Sequence, residues 1–593
     1  MKKILIILFL ASVQFGFAQY ILPKKKENFL DIIYYFLTQA KMKHINNLIP
    51  VIIYMFLIVS NENLSQTDSV AFQSSNLPIV VINTHGQIIS DDNRIIVDMG
   101  IINNPDSQRN YVSDPFNDYN GRIHVEIRGS STKQFPKKSY GFETQDSLGN
   151  NLNVSLISMP EENDWILYAP YSDKTLLRNE LPYHLARSLG TYASRTAYCE
   201  LILNGEYRGL YVLMEKVKQD KHRVDIAKLN PEDTNGDELT GGYILKSDKP
   251  PDPFEWMVDV NPLYGFGNSF YQFQDPNGEK IASQQKTYIQ NFVSKVESTL
   301  VSSNYADTIN GYAKYLDVSS FVDYFLISEL AKNPDAYRFS FYMYKKKDSN
   351  GGKLFAGPLW DYDLSFANYG GIWEEPWLTY GWNADIATWR RTFWMERLLT
   401  DMDFVNKLKV RWNEIRRGVF SNNSIMDFID QIIERIKEAR IRNFIRWPII
   451  GDSVWPNYYV GPTYEAEITF LKDWITGRLE WMDHELTGGL LSVKDETKEV
   501  MQTYELSQNY PNPFNLFTTI NYSVTQSQPV EIVIFDILGN KIKTLFNGEA
   551  ITGINQVQWN GKNNHDQVVN SGVYIYRVIS DEAIFNGKII LNK

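Results

Sequence analysis

The hydrophobic period of this 593-residue chain changes twice, and those changes restrict its possible folds more than any other feature. In the first half, GRIHVEIR (121–128) alternates Ile123, Val125 and Ile127 with polar residues, the mark of a strand with one buried face. CELIL (199–203) and EYRGLYVLM (206–214) meet at Asn204-Gly205, which suits the positive φ angles of a type I′ turn, so a β-hairpin is predicted. Between them, KTLLRNELPYHLARSLG spaces Leu177, Leu181, Leu185 and Leu189 as one helix face, with Pro182 early and Gly190 as the stop. From about residue 285 the period is helical. Ile289, Phe292, Val293, Val296 and Leu300 share one face; Phe321, Val322, Phe325 and Leu326 share another, with Ser319 or Ser320 as the cap. Residues 386–488 continue as amphipathic helices rich in Trp and Arg. A β-rich first half feeding a helical second half describes a two-lobed α+β domain, assigned to 65–490.

The second change follows a linker at 491–504. TTINYSV, PVEIVIFDI, NQVQWNG, GVYIYRVI and FNGKIILNK are short strands punctuated by turns every eight to twelve residues, which predicts a small all-β sandwich over 505–593. Two or three domains are expected at this length. A net charge of −11 argues against a general nucleic-acid or anionic-membrane binder. Cys199 is the single cysteine, so no disulfide or thiolate zinc site forms within one chain, and its apolar strand suits a buried filler. Aromatic content of 14% fits large buried rings or sugar-stacking faces equally.

Residues 1–64 read as an export region. MKKILIILFLASVQFGFAQ has the basic start, apolar run and small-x-small end of a signal peptide. A second signal-like unit begins at Met42, whose apolar run is too short to span a bilayer. Either translation starts at Met42, or a signal peptide precedes a membrane-associated segment; both export the remainder.

The junction of the two halves carries the acidic residues of interest. NPDAYRFSFYMY and LFAGPLWDYDLSF flank a polar turn, placing Asp335 after a helical run and Asp361 and Asp363 at the end of the following strand. On an extended strand, residues two apart face the same way, and converging carboxylates suit a hard cation carrying phosphate oxygens. Turn and cap aspartates would give the same letters, but phosphotransferases of the protein-kinase type place a catalytic and a metal-binding Asp in this order.

Two resemblances follow from longer stretches. NYPNPFN, EIVIFDILGNKIKTL, QWNGKNNHDQVVNSGVYIYRV and IILNK resemble, in order, the type A sorting domain of the Bacteroidetes type IX secretion system. This implies use of that machinery and delivery outside a Gram-negative cell or onto its outer-membrane surface. IRGSSTKQFPKKSYGFET, ENDWILYAPYSDKTLLRNELPYHLARSLG, CELILNGEYRGLYVLMEKV, GGYILK, NPDAYRFSFYMY and GPLWDYDLSF resemble the CotH kinase family over roughly 78–420. The family is one of atypical kinases, which implies Mg2+ and ATP as cofactor and substrate and Ser or Thr of partner proteins as acceptor.

By that resemblance Asp335 is the catalytic aspartate, Asp361 the metal-binding aspartate, and Asp363 a second ligand or a shaper of the turn. Lys137 or Lys138 would bridge ATP phosphates, one of the two facing the site, and Gly129, Ser130 and Ser131 would form the phosphate-covering turn. Ser340 stands where kinases carry a metal-binding Asn, and the covering loop has one glycine, not three. Glu180 and Glu215 are alternative partners for the ATP lysine. Asp233, Asn235 and Asp237 resemble the start of a calcium loop but read better as a hairpin turn, because Glu238 replaces the required Gly. His184 reads as a packing residue and Trp360 as core. The competing reading is a catalytically inactive surface protein that uses the fold to bind or to build, since ATP is scarce outside the cell. Glycoside hydrolysis suits Asp361 and Asp363 poorly, because they sit too close together on one strand.

Overall fold

In a computed structural model the described residues are 70–105, 108–249, 256–258, 269–371, 375–385, 393–487, 514–515, 517–524, 527–536, 540–551, 553–580 and 584–592. The export region (1–64), Met42 and the linker (491–504) lie outside them. The chain divides into two compact units at Ser492 and Val493. The first is mixed α and β; the described part of the second is all-β.

The first unit begins as a closed seven-stranded barrel. Its strands are β1 (Ile79–Asn83), β2 (Ile95–Ile102), β3 (Tyr119–Arg128), β4 (Ser139–Gln145), β5 (Asp164–Tyr168), β6 (Thr196–Leu203) and β7 (Glu206–Glu215), with helix α1 (Glu180–Ser188) before β6. All neighbours are antiparallel except β1 and β6, whose parallel pairing of Val80 with Leu201 and Ile82 with Leu203 closes the ring. Alternation puts Val80, Ile82, Ile123, Val125, Phe142, Trp165, Leu201 and Leu213 into one core. Cys199 fills this core, where burial pushes its thiol up to about 12. Asn204 (φ 52°) and Gly205 (φ 78°) make the predicted tight turn.

A five-stranded antiparallel sheet follows, from β8 (Tyr243–Ser247), β9 (Trp256–Val258), β10 (Ser269–Asp275), β11 (Phe341–Lys345) and β12 (Leu354–Ala356), in the order β9-β10-β8-β11-β12. Helices α2 (Ser283–Val301), α3 (Val318–Ala331), α4 (Trp394–Leu399), α5 (Met402–Arg416), α6 (Asn422–Arg435), α7 (Lys437–Arg446) and α8 (Tyr464–Thr487) complete the unit. Along α3, Phe321, Val322, Phe325, Leu326 and Leu330 are at most 3% exposed, a gross burial worth on the order of 10 kcal/mol before chain entropy is set against it. Its cap is Asp317, not Ser319 or Ser320: the Asp317 carboxylate accepts from the Ser320 N–H at 2.9 Å. Among the described residues no helix is long and apolar enough to cross a membrane.

The second unit pairs β13 (Thr518–Val524) with β16 (Gly553–Trp559). Its larger sheet has the order β15-β14-β17-β18, from β14 (Gln528–Asp536), β15 (Lys541–Ala550), β17 (Gly572–Ser580) and β18 (Ile584–Leu591). Ile520, Ile532, Trp559, Tyr576 and Ile589 form its core. The β15 strand, KIKTLFNGEA, is not among the predicted strands, because Ile542, Leu545 and Phe546 do not alternate and Asn547-Gly548 reads as a turn.

One buried acid makes the first unit pH-sensitive. Glu297 of α2 is 1% exposed and accepts from the Tyr271 hydroxyl (2.6 Å) and the Trp394 indole N–H (3.0 Å). Burial raises its pKa from 4.5 to about 7. The folded state therefore holds a proton that the unfolded state releases above 4.5, so this stability is complete below that pH and lost as pH rises through 7. Glu297→Gln keeps the accepting oxygen and removes the titration. Its unfolding free energy in chemical denaturation should exceed wild type by a margin that widens from pH 5 to pH 8, reaching about 3 kcal/mol. A margin that stays constant with pH would show that Glu297 does not titrate in this range.

Candidate functional site

The segment after β12 does not continue as a strand. Gly357 takes φ 104°, and Pro358 has no N–H with which to extend the ladder. Asp361 and Asp363 therefore lie in irregular chain, and the expected alternation along an extended strand does not apply to them. They still line one cleft, together with Asp335. Asp361 reaches it through a left-handed backbone (φ 63°), a conformation Asp adopts more readily than most residues.

Neighbouring groups hold that geometry. The Asp361 N–H donates to the Tyr183 hydroxyl (3.1 Å) and the Tyr362 N–H to Asn179 Oδ1 (2.6 Å). Both partners come from the start of α1, whose docking thus depends on the helix that the leucine spacing predicts. Downstream, Arg178 donates to the carbonyls of Ser365 (3.1 Å) and Phe366 (3.5 Å), and is itself paired with buried Asp173 at 2.7 Å. The Asn368 amide donates to the Asp363 carbonyl at 2.7 Å.

The acids are held against their own ionisation. Burial raises the Asp335 pKa, opposed by Arg338, whose guanidinium contacts Asp335 Oδ1 at 3.1 and 3.3 Å. Asp361 opens into the cleft, yet the surrounding walls, and then the Asp335 charge, push its pKa up. Asp363 is 7% exposed and its pKa lies well above the carboxylate range, from burial first and then from Asp361 and Asp173; the Tyr168 hydroxyl opposes this with a hydrogen bond. Among the described residues no three His, Cys, Asp or Glu side chains converge closely enough to hold a metal unaided. Mg2+ commonly takes one or two carboxylates and completes its shell with phosphate oxygens, which this donor set fits.

The opposite wall comes from the barrel. Arg128 ends β3, and Gly129 (φ 122°), Ser130 and Ser131 turn the chain over the cleft. A Cβ at Gly129 would sit 2.1 Å from Thr132 Oγ1, so the turn needs glycine. The Arg128 guanidinium lies 5.5 Å from the Trp360 ring centre, and Lys249 Nζ is 3.3 Å from Ser130 Oγ. Phe135 and Trp455 supply apolar lining.

Neither predicted lysine lines the cleft. β4 begins at Ser139, so Lys137 and Lys138 precede the strand rather than alternate along it. Lys137 is 2% exposed; its ammonium donates to the Leu210 carbonyl (2.5 Å) and Asn443 Oδ1 (2.9 Å), and burial lowers its pKa to about 7. Lys138 donates to the Lys133 carbonyl at 2.5 Å. Glu180 pairs with Arg187 at 3.0 Å and Glu215 with Arg195 at 2.9 Å, so both are engaged away from the cleft. Ser340 is not in the lining. Asp233 accepts from the Asn230 N–H (2.7 Å) in a local turn, and Asp237, in a one-turn helix at Gly236–Leu239, accepts from the N–H of distant Ser349 (2.8 Å), so the segment is a turn into a helix rather than a hairpin turn. His184 stacks on Phe428 with ring centres 3.7 Å apart, a packing role, while Trp360 is cleft wall rather than sealed core.

Arg128, Asn179, Tyr183, Lys249, Phe135 and Trp455 were not singled out from the sequence. Arg128 carried a readable signal, as a cation closing an alternating strand next to a glycine turn; Trp455 lies far along the chain and carried none.

A family model described as CotH kinase protein matches residues 125–482, more than half of the chain. The chain belongs to the CotH kinase family. A second model, for the secretion system C-terminal sorting domain, matches residues 508–592. That tail marks this CotH-family protein for type IX secretion, and hence for the outside or the surface of a Bacteroidetes-type cell. No curated protein matches the chain. Among solved structures, dimeric latent PorU from Porphyromonas gingivalis is 15% identical over 16% of this chain and 10% of its own, with a TM-score of 0.14. Alkylpurine DNA glycosylase AlkC from Pseudomonas fluorescens, bound to DNA containing an abasic site analog, is 13% identical over 35% and 57%, with a TM-score of 0.13. At such scores neither likeness carries an argument.

The left-handed backbone at Asp361 gives a stability test within the CotH domain. Asp361→Asn and Asp361→Ala remove the same charge, but only Asn tolerates this conformation. Ala should therefore be less stable than Asn by about 1 kcal/mol in chemical denaturation. Equal stabilities would mean that this segment relaxes out of the left-handed region.

Proposed function

We propose that this CotH-family protein is a secreted kinase that transfers the γ-phosphate of ATP to a Ser or Thr hydroxyl of a partner protein. The observation that supports it is one cleft in which three aspartates meet Arg128 and a glycine turn from the barrel and Lys249 from the end of β8. In this reading the barrel and the helical region act as the two lobes of a kinase-like domain with the nucleotide between them. Mg2+ bound with ATP supplies the positive charge that draws phosphate oxygens onto the acidic wall.

Each residue then has a defined task. Asp361, open to the cleft, takes the metal; Asp363, buried behind it, either joins it or sets its orientation. A cation arriving there reverses the local electrostatics that disfavour ionised Asp361 and Asp363. Asp335 has Arg338 on one oxygen, leaving its other oxygen to accept the hydrogen of the incoming hydroxyl and align it. Gly129, Ser130 and Ser131 bring backbone close to the phosphates.

Thermal melting with Mg-ATP tests the binding half. A ligand that binds only the folded state stabilises it by about 2.7 kcal/mol at a hundredfold excess over its Kd. Wild type should show this shift and Asp361→Asn should not. Radiolabelled phosphate transfer tests the chemistry: Asp335→Asn should keep the Mg-ATP shift and lose transfer to protein Ser or Thr by a hundredfold or more. Absence of any shift for wild type at millimolar Mg-ATP would instead make the protein an inactive binding module.

A further inference from the structure

We infer that Arg128, assisted by Lys249, is the cation that anchors the nucleotide phosphates in this cleft, a role that neither Lys137 nor Lys138 can perform. The inference rests on the kinase reading and adds to it the residue that recognises the polyphosphate.

The positions of the other nearby cations lead to it. Lys137 is sealed between the Leu210 carbonyl and Asn443, and Lys138 is tied to the Lys133 carbonyl. Lys133 pairs with Asp91 at 2.9 Å, and Arg338 is committed to Asp335 at 3.1 Å. Two cations line the cleft itself, Arg128 and Lys249. Lys249 reaches back to Ser130 Oγ at 3.3 Å, the hydroxyl of the turn above the cleft. Among the described residues no hydrogen bond or ion pair engages the Arg128 guanidinium; its neighbour is the Trp360 ring, 5.5 Å away.

Its backbone placement is equally specific. Arg128 is the last residue of β3, opposite Ser139 in the ladder, and the chain leaves it through the positive φ of Gly129. The guanidinium is thus fixed by a barrel strand directly below the turn, on the wall facing Asp361. The Trp360 ring, 5.5 Å from the guanidinium, offers a cation–π contact that uses none of its N–H donors. A planar fork of donors matches two phosphate oxygens at once, whereas an ammonium offers a point charge. A polyphosphate chelated to a cation held by Asp361 would satisfy both walls.

Calorimetry on the full chain decides it, with Mg-ATP, Mg-tripolyphosphate and adenosine as the three probes. Replacing Arg128 by Gln should weaken Mg-ATP and Mg-tripolyphosphate by roughly 10- to 100-fold, the range expected for charged hydrogen bonds, and leave adenosine within twofold. Arg128→Lys should recover only part of the loss, because charge returns without the fork. Lys138→Gln should bind all three as wild type does, and melting without ligand confirms that each variant is folded. Unchanged Mg-ATP affinity in folded Arg128→Gln overturns this assignment while leaving the kinase reading intact. Failure of wild type to bind either polyphosphate overturns both.

Discussion

The buried pair between Glu329 and Arg478 anchors the Asp335 part of the cleft's acidic side. Both side chains are fully buried and 3.2 Å apart. Glu329 closes α3 and also accepts from the Tyr337 hydroxyl (3.0 Å) and the backbone N–H groups of Asn383 (2.6 Å) and Ala384 (2.9 Å). Arg478, from the last helix of the unit, donates to the Glu329 carbonyl (2.8 Å) and to the carbonyls of Thr379 (3.0 Å) and Gly381 (2.8 Å). One ion pair thus ties together the end of α3, the Asp335 loop through Tyr337, the 379–384 segment and α8. Desolvating two charges is expensive, and here the cost is offset by filling nearly every donor and acceptor position. Loss of either partner would strand the other charge and cost about 3–5 kcal/mol.

Much of the fold was legible because period and turn chemistry are local. The β3 alternation, the Asn204-Gly205 hairpin, α1 between Leu177 and Gly190, and the faces of α2 and α3 all follow from side-chain spacing. Closure of the barrel was not, because it depends on a parallel pairing of β1 with β6, more than a hundred residues apart, and each strand alone reads the same in an open sheet. The α3 cap was misassigned by two or three residues because Ser319 and Ser320 compete with Asp317 for the same role on composition alone. In the cleft, the acidic residues could be named because Asp-x-Asp after a strand is conspicuous. Their geometry could not, since the left-handed turn at Asp361 is imposed by Tyr183 and Asn179 from a distant helix.

The lysine expectation failed for a physical reason worth separating from chance. Lys137 and Lys138 follow Pro136 in a basic run, which in sequence looks solvent-facing and available. In the folded unit, α7 packs across β7 and brings Asn443 over the barrel wall, where its amide oxygen accepts both from Lys137 and from the Leu210 N–H (3.2 Å). Lys137 is therefore an internal strut: its ammonium satisfies a carbonyl and an amide oxygen, and its stem packs beside the Tyr211 ring with Nζ 5.0 Å from the ring centre. The burial that lowers its pKa is what a cation pays for serving structure instead of ligand.

Charge separation across the cleft links stability to the proposed activity. The helical side gathers three aspartates, all disfavoured as anions by burial and Asp361 and Asp363 also by their neighbouring aspartates, and the barrel side presents Arg128 with no carboxylate bound to it. Closing that gap with a direct Arg128–Asp361 bridge would stabilise the empty protein and occupy both groups. The fold avoids this by fixing the two from different elements, Arg128 on a barrel strand over Trp360 and Asp361 on a backbone pinned by Tyr183 and Asn179. Each remains oriented toward the cleft and short of a partner, an arrangement that costs the empty state stability and favours a ligand carrying both a cation and an anion. A metal–polyphosphate is the simplest species with that pairing, which is why the same geometry supports both the kinase reading and the assignment of Arg128 within it.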